Sequence, residues 1–178
     1  MMVPMPEVLV VSSCLLGRRC RYDGASKGSE VVASAVEKHR ASGGTVVSVC
    51  PEQLGGLGTP RPAAELRGGD GAAVLAGAAR VEVCEDGSEV TAAFVAGAER
   101  ALAAAGEPDM AILKARSPSC GCGRTHIDGA VAAGDGVFAA LLRRRGVALR
   151  TDEELVACPG GTAATDPGSA SGTHTTGE

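Results

Sequence analysis

The chain has 178 residues, of which 44% are hydrophobic, and it carries a formal net charge of −4. Cationic side chains are not in excess, and the aromatic residues are only Tyr22, Phe94 and Phe138. The chain therefore lacks the charge and the stacking rings of nucleic-acid-binding proteins, and we expect no nucleic-acid partner. No apolar run approaches the ~20 residues of a membrane span, so we expect no membrane insertion. We expect a cytoplasmic protein, where thiols stay reduced, so its seven cysteines are better explained by metal binding or catalysis than by disulfides.

The first third of the chain predicts a strand, a helix and a second strand. VLVVSS (8–13) is a short apolar run, rich in β-branched residues, that is typical of a buried strand. Residues 29–42 have apolar side chains at helical spacing, with Ser29 as a start signal and Gly43 and Gly44 as a stop. TVVSV (45–49) predicts the second strand. A loop rich in Gly and Pro follows over 51–66, and its length suggests a functional role.

The rest of the chain continues this alternation. Residues 71–88 alternate well enough to predict a small hairpin, and an alanine-rich helix is expected from Ser88 or Thr91 to about Ala105. MAILK (110–114) predicts a third strand, 116–136 a second long loop, 136–145 a helix and VALR (147–150) a fourth strand.

Alternating strands and helices predict the α/β class, with a parallel, doubly wound sheet. We expect one domain over residues 1–158, with a mostly parallel four-stranded sheet and helices on both faces. Right-handed crossovers favour the strand order 2-1-3-4. Residues 159–178 are Gly, Thr, Ser and Ala with few other types and no bulky apolar side chain, which predicts a disordered tail.

Three cysteines follow predicted strands. Cys14 and Cys50 come at strand ends, and Cys120 comes a few residues after the third strand. Ligands bind at the carboxyl ends of strands in open α/β sheets, so these thiols can converge. Each cysteine alone is as easily a buried apolar residue, but three at one edge suggest a metal or cluster site.

The other cysteines leave alternatives open. Cys20 is the strongest rival ligand, because a Cys-x5-Cys spacing can place two thiols in one loop, and Cys122 is a further possibility. Cys84 and Cys158 are interpreted as structural or incidental.

Two polar residues stand next to the proposed ligands. Glu52 comes two residues after Cys50, and beside a metal its carboxylate could donate or accept a proton. Ser117 opens the turn that contains Cys120, and the hydroxyl and N–H groups of that turn could donate to cluster sulfurs or to a substrate.

SSCLLGRRCRYDG (12–24), VCPEQLGGLGTPRP (49–62) and LKARSPSCG (113–121) resemble the domain of unknown function 523 family, to which the thiouracil desulfidases belong. The resemblance extends from about Val8 to Thr151. It implies a Rossmann-like domain that holds a 4Fe-4S cluster through Cys14, Cys50 and Cys120, with one iron not ligated by protein. It also implies acid–base and hydrogen-bonding roles for Glu52 and Ser117.

The activity that the resemblance implies is a non-redox desulfuration of a thiolated base of the 2- or 4-thiouracil kind. Water replaces the sulfur, which leaves as sulfide, so the expected partner is a small molecule. Two alternatives remain. A non-enzymatic iron-sulfur or metal storage or sensor protein would close the site with a fourth ligand from Cys20 or Cys122, and a metal-free enzyme would carry a persulfide on one of these two thiols. The sequence leaves the oligomeric state open.

Overall fold

The computed structural model describes residues 7–157, so the predicted tail and Cys158 lie outside the described residues. The strands are β1 (Val8–Ser12), β2 (Thr45–Val49), β3 (Ala64–Arg67), β4 (Arg80–Val83), β5 (Met110–Leu113), β6 (Arg124–Ile127), β7 (Ala130–Ala133) and β8 (Ala148–Thr151). The helices are α1 (Glu30–Ala41), α2 (Pro51–Leu54), α3 (Gly71–Leu75), α4 (Thr91–Ala105), α5 (Val137–Arg144) and α6 (Asp152–Ala157). None of these helices is both long and apolar enough to cross a membrane.

A four-stranded parallel sheet in the order β2-β1-β5-β8 forms the centre of the fold, which confirms the predicted class and the order 2-1-3-4. Alternate residues of β1 point to opposite faces, as in any strand. Leu9 and Val11 pack with Val32 of α1 on one face. Val10 packs on the other face with Phe94 of α4, in the cluster that also contains residues of α5. Helices therefore cover both faces.

A second four-stranded sheet, which the sequence did not predict, has the order β4-β3-β6-β7. It is mixed, because β3 pairs antiparallel with β4 but parallel with β6. Three of its strands, β3, β6 and β7, lie mainly in the segments 51–66 and 116–136 that were interpreted as long loops. The sequences AELR and RTHI carry too little apolar alternation to predict strands, and pairing with a partner distant in the chain forms them.

The hairpin predicted over 71–88 is wrong. Its first half is α3, because the Asp70 side chain accepts a hydrogen bond from the Ala73 N–H and caps a segment of good helix formers. Its second half contains β4, whose partner strand is β3, and the neighbouring segment adds only one antiparallel bridge, between Glu82 and Glu89.

The predicted helices are confirmed as α1, α4 and α5. The Ser29 hydroxyl caps α1 by accepting a hydrogen bond from the Val32 N–H. Gly97 lets α4 approach the first turn of α2: a Cβ atom at Gly97 would overlap the Pro51 carbonyl oxygen and lie 3.0 Å from the Gly55 nitrogen. The sequence therefore packs α2, which starts directly after Cys50, tightly against the core helix α4.

Candidate active site

The carboxyl ends of β1, β2 and β5 form one wall of a cavity of about 380 Å3. Cys14 lies in the 3-10 turn Ser13–Leu16 directly after β1, and Cys50 is the residue that precedes α2. Cys120 lies in the segment after β5. All three line the cavity, which is the convergence that their strand-end positions predicted. Their role as ligands stays a prediction.

Short local motifs hold these cysteines at the sheet edge. The turn that contains Cys14 ends at Gly17, which has a φ of 88° that favours glycine. Pro51 occupies the first turn of α2, where its missing N–H is not needed. The Ser117 hydroxyl oxygen accepts hydrogen bonds from the backbone N–H groups of Ser119 and Cys120, at 3.2 and 3.1 Å. Ser117 therefore shapes the turn that presents Cys120, and it also lines the cavity.

Cys20 is a fourth thiol in the same cavity. It is 2% exposed, and it lies near the Cys14 and Cys50 thiols. Its backbone carbonyl accepts a hydrogen bond from the Cys50 thiol at 3.6 Å. Cys122, the other rival ligand, does not line this cavity and instead accepts a hydrogen bond from Arg143 at 3.3 Å.

The surroundings of Cys20, Cys50 and Cys120 raise the pKa of each of these three thiols and so favour the protonated form. The hydrogen bond with the Cys14 thiol is the main cause of a raised pKa of Cys20. The hydrogen bond with the Cys20 thiol, followed by burial, raises the pKa of Cys50. Burial raises the pKa of Cys120. Metal cations would supply the missing positive charge, because coordination deprotonates a thiol outright.

Glu52 lines the same cavity as the cysteines. Its side chain is 17% exposed and pairs with the nearly buried Arg61 guanidinium, with 3.1 Å between Oε2 and the nitrogen. Because α2 begins one residue earlier, at Pro51, the backbone of Glu52 is fixed by the same helix that follows Cys50. Arg61 lies in the Gly- and Pro-rich loop, and sequence reasoning missed it, since nothing in the spacing connects it with Glu52.

Lys114 is a second residue that the sequence analysis missed. It lines the cavity directly after β5, and its ammonium group donates to the Ala115 carbonyl at 3.2 Å and pairs with Asp152 at 3.6 Å. The Asp152 carboxylate also accepts the Ala115 N–H at 2.7 Å. These contacts attach the start of the segment that carries Cys120 to the start of α6.

The opposite wall of the cavity comes from the second sheet and its neighbouring loops. Its members are Ala63, Ala64, Glu65, Cys84 and His126. Glu65 is buried, and its carboxylate accepts the Gly129 N–H at 2.8 Å and pairs with Arg67 at 2.6 Å. Cys84, interpreted as structural or incidental, therefore lines the cavity, although it is exposed. The unpredicted sheet is the reason that this wall was missed.

The residues of the cavity suit an iron-sulfur cluster. Thiols are the ligands that such clusters require, and the Ser13 hydroxyl lines the cavity, buried, without a hydrogen-bond partner among the described residues. Within residues 7–157, no three Cys, His, Asp or Glu side chains stand close enough together to hold a single metal ion.

Fold and site together define an α/β protein with a thiol-lined cavity at the carboxyl ends of parallel strands. The model of the 2-thiouracil desulfurase family matches residues 9–154, and the chain belongs to this family. A curated relative, the uncharacterized protein YbbK of Bacillus subtilis (strain 168), is 41% identical over 153 residues, which cover 83% of this chain and 97% of the relative.

A solved structure of a [4Fe-4S]-dependent thiouracil desulfidase, TudS of the DUF523 family, is also similar. It has a TM-score of 0.69 and 41% sequence identity, and the match covers 86% of this chain and 95% of that one. The family that the three sequence motifs indicated is thereby confirmed.

Proposed function

We propose that the chain is an iron-sulfur-dependent desulfidase that replaces the sulfur of a small thiolated base, of the 2- or 4-thiouracil kind, by oxygen from water. The observation that carries the proposal is the convergence of Cys14, Cys50, Cys120 and Glu52 on one cavity. Family membership and the name of the structural neighbour support the same activity. A volume of about 380 Å3 is within the range of small-ligand sites.

In this proposal Cys14, Cys50 and Cys120 hold a 4Fe-4S cluster and leave one iron without a protein ligand. The bound cluster supplies a Lewis acid that polarises the C–S bond of the substrate. Cys14 and Cys50 closely follow the ends of β1 and β2, and the turn shaped by Ser117 holds Cys120, so local structure at the sheet edge would fix their separation. The cytoplasmic location, the small-molecule partner and the description of residues 1–158 as a single Rossmann-like domain belong to the proposal as well.

Glu52 moves the protons. The reaction converts a thiocarbonyl and water into a carbonyl and hydrogen sulfide, so both protons of the water leave with the sulfur. A carboxylate at the cavity wall can take a proton from the attacking water and return it to the departing sulfur. The side chain is mostly buried and is held by Arg61, which keeps the carboxylate in one place during this transfer.

Ser117 has two tasks in the proposal. Its oxygen accepts the N–H groups of Ser119 and Cys120 and so positions a ligand. Its own O–H is left to donate a hydrogen bond into the cavity that it lines. Loss of the hydroxyl should therefore loosen the Cys120 turn and weaken substrate binding, with a smaller effect on rate than loss of Glu52.

The storage or sensor alternative has one observation in its favour, the fourth thiol. Cys20 lines the same cavity as Cys14 and Cys50 and could close the cluster as a fourth ligand. The Cys20→Ser variant separates the two functions. If Cys20 is not a ligand, the variant keeps its iron content and its sulfide release, whereas a closed cluster would lose iron in Cys20→Ser.

The decisive experiment compares Glu52→Gln with wild type after anaerobic cluster reconstitution. We expect the same iron content but a rate of sulfide release from thiouracil lower by roughly 10²- to 10⁴-fold, as for loss of a general acid–base group. Glu37→Gln, on the exposed surface of α1, is the matched control. Undiminished turnover in Glu52→Gln would contradict the assigned role. No sulfide from any thiolated base with the fully loaded wild type would contradict the function itself.

A further inference from the structure

Arg61 makes an unusual set of contacts for a loop residue. Its side chain is 6% exposed, and one terminal nitrogen contacts both the Glu52 carboxylate, at 3.1 Å, and the Cys20 carbonyl, at 3.0 Å. The other terminal nitrogen donates to the Gly58 carbonyl at 3.1 Å and to the Thr59 hydroxyl at 3.2 Å. The guanidinium therefore joins its own loop, the Cys20 segment and the residue proposed to transfer protons.

The contacts divide into two kinds. The bonds to Gly58 and Thr59 are local and fix the orientation of the guanidinium within its own loop. The contacts with Glu52 and Cys20 bridge segments that are 9 and 41 residues away in the chain. A planar guanidinium can serve both sets at once, whereas an ammonium group lacks the fork that spaces the two nitrogens. The orientation of Glu52 is thus set by a group that is itself already held.

Arg61 does not line the cavity, although Glu52 and Cys20 do. Any effect that it has on the reaction must therefore pass through these neighbours. The Cys20 carbonyl that it contacts also accepts the hydrogen bond from the Cys50 thiol. The Cys20 carbonyl consequently connects Arg61 to Cys50, a proposed cluster ligand, and the Glu52 carboxylate connects it to the proposed acid–base group.

We propose that Arg61 is a positioning residue of the desulfidase: it holds the Glu52 carboxylate in the orientation that reaches the attacking water and fixes the distance of that carboxylate from the Cys50 side of the cavity. This inference rests on the proposed function. Displacing a reacting group by about 1 Å can lower a rate by roughly 10²-fold. Arg61 therefore contributes to the rate without contacting the substrate.

The test is a double-mutant cycle on the reconstituted protein, with Arg61→Gln and Arg61→Lys made both alone and in the Glu52→Gln background. Thiouracil is the substrate, and kcat, KM, iron per chain and the melting temperature of the cluster-free protein are measured. Arg40→Gln is the matched control, because Arg40 forms an exposed ion pair with Glu37 on α1.

With Arg61→Gln alone, we expect kcat to fall by roughly 10²-fold, with KM within about twofold and iron per chain unchanged. In the Glu52→Gln background the same substitution should lower kcat by less than about twofold, because there is no carboxylate left to orient. Residues that act through one another give such non-additive effects. Arg61→Lys should recover part of kcat, since it keeps the charge but not the fork.

The positioning role would be overturned if Arg61→Gln lowered kcat equally in the wild-type and Glu52→Gln backgrounds, or in neither. The desulfidase function would stand in either case, because it is judged on the wild type. If Arg61→Gln does not fold or load iron, the cycle is decided with Arg61→Lys. Iron loss in Arg61→Lys too would assign Arg61 to holding the fold and also overturn the inference.

Discussion

The contact between α4 and α2 predicts that Gly97→Ala will disturb the active site from a distance. In an unobstructed helix, replacing Gly by Ala stabilises by about 1 kcal/mol. At Gly97 the new Cβ would overlap the Pro51 carbonyl oxygen and lie 2.9 Å from its carbonyl carbon. These are backbone atoms that cannot rotate away and the overlap is severe, so the overpacking should cost about 2–3 kcal/mol, the upper part of the usual range. We expect the cost of the clash to exceed the gain in helix propensity, so that the free energy of unfolding falls by about 1–2 kcal/mol.

The displaced atoms belong to the residue between Cys50 and Glu52, so the substitution should affect stability and function together. A loss of this size lowers the melting temperature of a chain of this length by about 2–8 °C. Thermal unfolding of the cluster-free protein measures the first effect, and iron content with sulfide release measures the second. We expect both iron content and rate to fall.

Gly28→Ala is the control for Gly97→Ala, because a Cβ at Gly28 would make an ordinary contact at 3.7 Å with Gly17. It should melt within about 2 °C of wild type, since substitutions without a clash are usually small in effect. A Gly97→Ala protein that melts at or above the wild-type temperature and keeps full activity would refute the reasoning, and with it the close packing of α2 on α4.

Three further outcomes follow from the described contacts. Cys14→Ser should abolish the visible absorbance of the reconstituted cluster, whereas Cys84→Ser, on the exposed second wall, should retain it; equal loss in both would contradict the ligand set. Ser117→Ala should bind less iron than wild type and release it faster to a chelator, because the Cys120 turn loses two hydrogen bonds; unchanged iron retention would limit Ser117 to the substrate side. Burial tends to raise the pKa of Asp135, but hydrogen bonds from Arg143 and a backbone N–H outweigh it and leave this pKa below its usual range. The ionised carboxylate therefore stabilises the fold above its unfolded pKa of about 4, and this contribution is lost as the pH falls through the lower folded pKa. The difference in melting temperature between wild type and Arg143→Gln should accordingly shrink at acid pH. A difference that stays constant with pH would show that the pair is unimportant.

The central sheet and the cysteine edge could be predicted because their signals are local. Each strand of the parallel sheet is a short apolar run, and Ser29 and Gly106 mark helix ends by their own chemistry. Once the class of sheet is known, the carboxyl ends of its strands are a single edge, which places Cys14, Cys50 and Cys120 together without further information.

The second sheet and the ion pairs could not be predicted because their signals are not local. β3 and β6 pair across 61 residues at Leu66 and Ile127, and neither strand has an apolar pattern that would stabilise it alone. The Arg61 contact with Glu52 depends on the path of a loop rich in Gly and Pro, which periodicity does not determine. Lys114 and Asp152 meet only because β5 and β8 are neighbours.

The two walls of the cavity differ in what they can contribute to the reaction. On the second wall, the Glu65 carboxylate is already engaged by Arg67 and by the Gly129 N–H. The titratable side chains that remain there, His126 and Cys84, are both exposed. On the first wall, Glu52 has one firm partner and stands two residues from a proposed ligand. In the proposed reaction Glu52 is the proton carrier because it stands beside a proposed cluster ligand, and the wall formed by the second sheet would supply the shape that the substrate meets. A change of substrate preference should accordingly be sought in the second wall, and a change of rate in the first.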